Sequence, residues 1–175
     1  MKQFLILIIL LSLTSCGSSI KLTSDYANGV NFSDYKSFKI VEIAADKTGI
    51  NEITLNRVIT AVTDEMQAKG FQKSANPDIE LHLIGLVKDK ASADVYTDYY
   101  GYGYYRRPFG YGTTTSRVDV TEYKEGTLII DFVDPDSGQL VWQGIGTAKM
   151  NEDPKGREER IKKAVSQILS QYPPK

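Results

Sequence analysis

The stretch Leu128–Gly144 fixes more of the fold than any other part of this chain. Leu128, Ile130 and Phe132 share one face of an extended run, Leu128–Val133, because successive strand side chains point to opposite sides. Asp134-Pro135-Asp136-Ser137-Gly138 follows. Proline fixes one dihedral, the aspartates bond to local amides and glycine takes a positive φ, so the segment reads as a turn. Gln139–Gly144 returns as the partner strand, with Leu140 and Trp142 expected inward. Such a hairpin carries one apolar face, which another element must cover.

Two amphipathic helices can supply that cover. Leu55, Val58, Ile59, Val62 and Met66 recur at three- and four-residue spacing, which puts them on one helical stripe. Asn51 is placed to cap the start, and Gly70 stands where a left-handed C-terminal cap belongs. The second stripe is Ile161, Val165, Ile168, Leu169 and Tyr172. Asp153 is its expected cap, Pro154 suits its first turn, Glu158 and Glu159 favour the helix dipole, and Pro173-Pro174 ends it.

Further strands are expected at Ser37–Glu42, entered from Phe32-Ser33-Asp34-Tyr35, and at Ile79–Val87, where Ile79, Leu81 and Leu83 alternate with Glu80 and His82. Arg117–Tyr123 alternates too, and Ile20, Leu22 and Tyr26 do so weakly. The expected fold class is α+β: a single domain with a largely antiparallel sheet of four to six strands and two amphipathic helices on one face. Between the strands, Ala91–Thr115 reads as a Gly/Tyr-rich loop or extended hairpin tip. Seven tyrosines stand there, Tyr96, Tyr99, Tyr100, Tyr102, Tyr104, Tyr105 and Tyr111, with four glycines and the pair Arg106-Arg107. Seven phenols cannot all enter a small core, because each hydroxyl needs a partner or water. Tyrosine offers large contact area at little entropic cost, so these residues, with Arg106 and Arg107, are the candidate partner-binding surface. A low-complexity insertion without a partner is the plainer alternative.

The first sixteen residues form a separate unit. One lysine, an unbroken apolar run Phe4–Leu11 and the small-residue exit Leu13-Thr14-Ser15-Cys16 describe a secretory signal peptide. The run is shorter than the roughly 20 residues a spanning helix needs. Leu13-Thr14-Ser15-Cys16 also resembles the bacterial lipobox. That resemblance implies cleavage after residue 15 and a covalent lipid on Cys16, the lone cysteine of the chain. Residues 1–15 are then the leader, 16–24 the acylated cysteine and its tether, and 25–175 the domain. The expected address is the cell envelope, most simply the outer membrane facing the periplasm, since Gly17 replaces the aspartate associated with inner-membrane retention.

Charge and residue inventory narrow the chemistry. A formal net charge of −1 leaves no basic footprint for nucleic acid. His82 is the only histidine. Zinc normally takes three or four His or Cys ligands, so no metal site is expected. Glu80 is the one acid placed to help His82, and no Ser-His-carboxylate pattern is recognisable, so no catalytic residue and no cofactor are expected. Asp134, Asp136 and Ser137 lack the twelve-residue spacing of a calcium loop, and Gly101-x-Gly103 lacks the strand-to-helix setting of a phosphate cradle.

The lipobox, Asp34-Tyr35-Lys36-Ser37-Phe38, Asn76-Pro77-Asp78, Glu125-Gly126-Thr127-Leu128 and Asp134-Pro135-Asp136-Ser137-Gly138-Gln139-Leu140-Val141-Trp142-Gln143-Gly144 together resemble one family. It is the bacterial lipoprotein family known as domain of unknown function 4136. The resemblance runs from about Tyr26 to about Tyr172 and departs at Phe38-Lys39-Ile40, where an aromatic would be usual. It implies fold and location and carries no catalytic residue. The functional expectation is a non-enzymatic, membrane-anchored envelope lipoprotein that contacts an envelope protein or glycan through the tyrosine-rich segment. The alternatives are a lipid-binding accessory subunit of an envelope transport or assembly machine, and a hydrolase built around an unrecognised site.

Overall fold

The computed structural model describes residues 20–41, 50–99 and 114–174, with backbone alone at 94–99 and 114–117. The leader, Cys16, Glu42, and Tyr100, Tyr102, Tyr104, Tyr105, Arg106, Arg107 and Tyr111 lie outside the described residues. In chain order the elements are β1 (Lys21–Tyr26), β2 (Ser37–Val41), α1 (Glu52–Ala68), β3 (Gln72–Lys73), β4 (Ile79–Tyr99), β5 (Thr114–Val133), β6 (Leu140–Lys149) and α2 (Arg157–Leu169). The strands form one sheet in the order β1-β6-β5-β4-β2-β3.

The sheet is mixed, which corrects the expectation of a largely antiparallel one. β2 pairs in parallel with both β3 and β4, whereas β1–β6, β4–β5 and β5–β6 are antiparallel. The cause is α1. A helix between β2 and β4 carries the chain back along the sheet, so the next strand runs in the same direction. Alternation along a strand records which face is buried and says nothing of direction.

Both helices lie against one face of the sheet. Phe38, Ile79, Leu81, Leu83, Ile130, Phe132 and Trp142 rise from the sheet, and Val58, Val62, Met66, Val165, Ile168 and Leu169 come down from the helices; all are buried. Each such side chain contributes roughly 1.5–3 kcal/mol relative to exposure. Tyr172 sits among Phe32, Phe71, Phe132 and Trp142, with ring centroids 4.6–6.0 Å away.

The ends of α1 follow the sequence. Asn51 Oδ1 accepts from the Thr54 amide at 2.9 Å. At the other end Gly70 has φ of 90°, its amide donates to Gln67 O and the Phe71 amide to Met66 O, which is a Schellman closure. α2 differs from expectation. Its N-cap is Gly156, left-handed at φ 69° and without a side-chain cap, while Asp153 Oδ1 accepts from Lys155 N in the preceding turn. The pairing Leu140-inward also fails: Leu140 is 44% exposed and Val141 is buried. A register shift between Phe132 and Val133 inserts one extra residue and turns Leu140 away, leaving Trp142 inward.

Two glycines let α2 approach. A Cβ on Gly144 would meet the Trp142 ring and Ile168 Cγ2, and one on Gly146 would stand 2.6 Å from Ile168 Cδ1. Ile168 therefore lies almost on the backbone of β6.

Candidate functional site

β4 and β5 are far longer than their neighbours. β6 follows β5 only to the pair Glu125↔Lys149. Beyond it the β4–β5 ladder continues alone for eleven pairs, from Asp89↔Lys124 through Tyr99↔Thr114. At about 3.3 Å per residue this is a two-stranded arm roughly 35 Å long. The segment expected as loop over Ala91–Thr115 is thus in part ladder, with Tyr96 opposite Arg117 and Tyr99 opposite Thr114. The tip alternative considered for that segment is the nearer description. Val118 and Val120 are 57% and 63% exposed on the arm. Its root is braced by charge and aromatic contacts: Lys124 Nζ lies 2.7 Å from Glu152 Oε1, Lys90 Nζ 3.7 Å from Glu125 Oε1, and Lys149 Nζ 4.8 Å over the Tyr123 ring.

Beside the arm's root an open groove of about 430 Å³ runs between the helices and the sheet. Gly126, Leu128, Gly146 and Ala148 form part of its lining from the sheet. Thr54 and Val58 of α1 and Ile161, Ala164 and Ile168 of α2 line it from the helices, and Met150 and Ile20 also border it. Lys124, Lys149, Arg157, Arg160 and Glu152 supply the charged groups of the lining, a surplus of positive charge, and Asn51, Thr54, Thr127 and Asn151 add neutral polar groups. Arg157 and Arg160 are held in place by donating to backbone carbonyls of Glu152, Asp153 and Lys155. Ile20 Cγ2 lies 3.5 Å from where a Gly146 Cβ would be, so the chain reaches β1 across the groove. Sequence periodicity could not reveal this site, because it exists only where two helices and three strands from distant segments meet.

The candidates for chemistry are arranged otherwise. His82 Nε2 and Glu80 Oε2 are 3.8 Å apart, with the His82 side chain 40% exposed. Both project from the sheet face opposite the helices, and neither lines the groove. No group of three metal-ligating side chains occurs among the described residues. Asp134 serves its turn: Oδ1 accepts from the Asp136 and Ser137 amides, each at 2.9 Å, and Tyr35 donates to Oδ2 at 3.3 Å. These bonds, that of the Ser137 amide foremost, hold its carboxyl below the ordinary value. Asp78 is lowered too, chiefly by the Ser37 hydroxyl and then by the Lys36 and Ser37 amides. Among the described residues no helix is long and apolar enough to cross a membrane.

A six-stranded mixed sheet with two helices on one face makes this a single α+β domain. The chain belongs to the family described as "Domain of unknown function (DUF4136)", matched over residues 22–174. No curated protein matches the chain. Among solved structures, a PDZ domain protein from Parabacteroides distasonis is similar over 99% of this chain, at 16% identity and a TM-score of 0.62. This chain spans 40% of that protein's length, and the likeness is one of fold. The PelC dodecamer from Paraburkholderia phytofirmans is similar over 87% of this chain and 96% of its own, at 12% identity and a TM-score of 0.45.

Proposed function

We propose that this protein is a membrane-anchored envelope lipoprotein, held by lipid on Cys16 at the periplasmic face of an outer membrane. It acts as a non-enzymatic binding module. The α+β body is the scaffold, and the β4–β5 arm with its Tyr/Gly-rich end is the contact element for another envelope protein or a glycan. The observation that carries the reading is the arm itself. An isolated two-stranded ribbon is marginal in water, yet this one continues for eleven pairs past the last strand that supports it, with Val118 and Val120 exposed. Such a ribbon gains more from a partner than from solvent. The tyrosines beyond it supply the rigid amphipathic contact surface that binding sites favour.

Excising residues 92–121 and joining Ala91 to Glu122 through Asn-Gly tests this, since those two residues are already paired and Asn-Gly suits a two-residue hairpin. The body should fold unchanged by circular dichroism and thermal melting. In-cell photo-crosslinking from positions 118 and 120 of the intact arm should capture a discrete adduct, and the excised protein should compete for none of it. Identical pull-downs with and without the arm would end the reading.

A further inference from the structure

We infer that the groove between the helices and the sheet takes an acyl chain of an anionic phospholipid from the bilayer to which the protein is tethered. It rests on the proposed Cys16 anchor only for how the groove meets that bilayer. Four observations point to this occupant. The lining includes Val58, Leu128, Ile161 and Ile168, and Ile168 reaches the backbone of Gly146. A cavity of about 430 Å³ is within the roughly 300–1,000 Å³ range of small-molecule sites. The charged groups are mostly basic: Glu152 is taken by Lys124 at 2.7 Å, which leaves the positive charges of Lys149, Arg157 and Arg160 to complement a phosphate head.

The fourth observation is position. Ile20 borders the groove and stands four residues from Cys16. Four residues span at most about 14 Å when fully extended. A lipid on Cys16 therefore keeps the groove within one short tether of the headgroups, where an acyl chain can enter without crossing water. Gly126 and Gly146 let Met150 and Ile168 settle onto the sheet side of the groove. A Cβ at either would meet Met150 at 3.0 Å or Ile168 at 2.6 Å, so side chains there would press on the residues that line it.

The full-length protein, purified from membranes, is reconstituted in phosphatidylethanolamine vesicles containing phosphatidylglycerol with a diazirine in one acyl chain. After irradiation, labelled peptides are mapped by mass spectrometry. Label is expected on the peptides holding Val58, Ile161 and Met150. The same probe with a phosphatidylcholine head should label them more weakly. Ala164→Phe, which fills the groove, should reduce the label. Arg157→Glu with Arg160→Glu, both half-buried at the rim, should reduce it about thirtyfold, since each basic group near an anionic lipid is worth roughly 1 kcal/mol. Label spread evenly over the domain, label absent from those peptides, or equal labelling by the two headgroups would overturn the inference. The acyl mass on Cys16 is read in the same spectra. An acylated Cys16 with an unlabelled groove sinks the groove alone, and a labelled groove on an unacylated chain sinks the anchor alone.

Discussion

Ser37 and Asp78 bind each other reciprocally across 41 residues of sequence. Asp78 Oδ2 accepts from both the amide and the hydroxyl of Ser37 at 2.8 Å, and the Asp78 amide donates to Ser37 Oγ at 3.0 Å. The same oxygen accepts from Lys36 N at 3.0 Å. This clasp joins the start of β2 to the start of β4, the parallel pair that alternation alone could not orient.

Removing the clasp should loosen that pair. Asp78→Ala is expected to cost about 1–3 kcal/mol, the range for losing hydrogen bonds to a charged group. Because the folded protein lowers the Asp78 carboxyl below 3.8, its contribution is present above that value and is lost as pH falls through the folded-state value. Urea midpoints at pH 7 and pH 3 should therefore fall less between the two for Asp78→Asn than for the wild type. An equal fall in both would remove Asp78 from the acid response.

Gly144 tests the packing of α2 on β6. Gly144→Ala drives a Cβ into the Trp142 ring and Ile168, and overpacking of this kind costs about 1–3 kcal/mol. In an Ile168→Ala background, which removes the Cγ2 that meets the new methyl, the added cost of Gly144→Ala should be smaller than in the wild type, as measured by urea unfolding in a double-mutant cycle. An equal cost in both backgrounds would show that the strain lies with Trp142.

Tyr172 is 3% exposed and its hydroxyl has no hydrogen-bond partner. Removing an unpartnered buried hydroxyl should leave stability unchanged or raise it by up to about 1 kcal/mol, so Tyr172→Phe is expected to melt no lower than the wild type. Burial, with Tyr35 nearby, pushes the phenol far above its ordinary value of 10.0. The stability tied to its neutral form is intact below pH 10 and is lost as pH rises toward the folded-state value. The phenylalanine variant should accordingly resist alkaline unfolding better, as measured by fluorescence of Trp142 from pH 9 to 12.

Cys16→Ser tests the anchor. The variant should appear in the soluble fraction or persist as an uncleaved precursor, and metabolic labelling with an alkyne fatty acid should mark only the wild type. Membrane retention of a processed serine variant would rule out lipid on Cys16 as the attachment.

Much of the body was legible because its signals are local. The Asp134–Gly138 turn, the Asn51 and Gly70 caps, both helical stripes and the inward sets Leu128-Ile130-Phe132 and Ile79-Leu81-Leu83 depend on residues within a few positions of one another. What escaped depends on distant partners. The bulge that buries Val141 instead of Leu140 comes from the register against β5, and Gly156 rather than Asp153 caps α2 because Asp153 is engaged by Lys155 in its own turn. The arm was legible only as the extended-hairpin alternative, because polar, tyrosine- and aspartate-rich sequence resembles a loop until a second segment pairs with it. The residues that line the groove escaped because Val58, Ile161 and Leu128 each read as ordinary core.

Pairing of Lys21 with Thr147, and of Thr147 with Thr127, sets β1 to begin at the end of the sheet from which the arm departs. The strand takes four residues from the expected tether, so a chain held at Cys16 has a leash shorter than its arm. Such a molecule searches in two dimensions. Partners in the same membrane meet the arm at the high effective concentration that a short linker imposes, and those farther out than the arm can swing do not meet it at all.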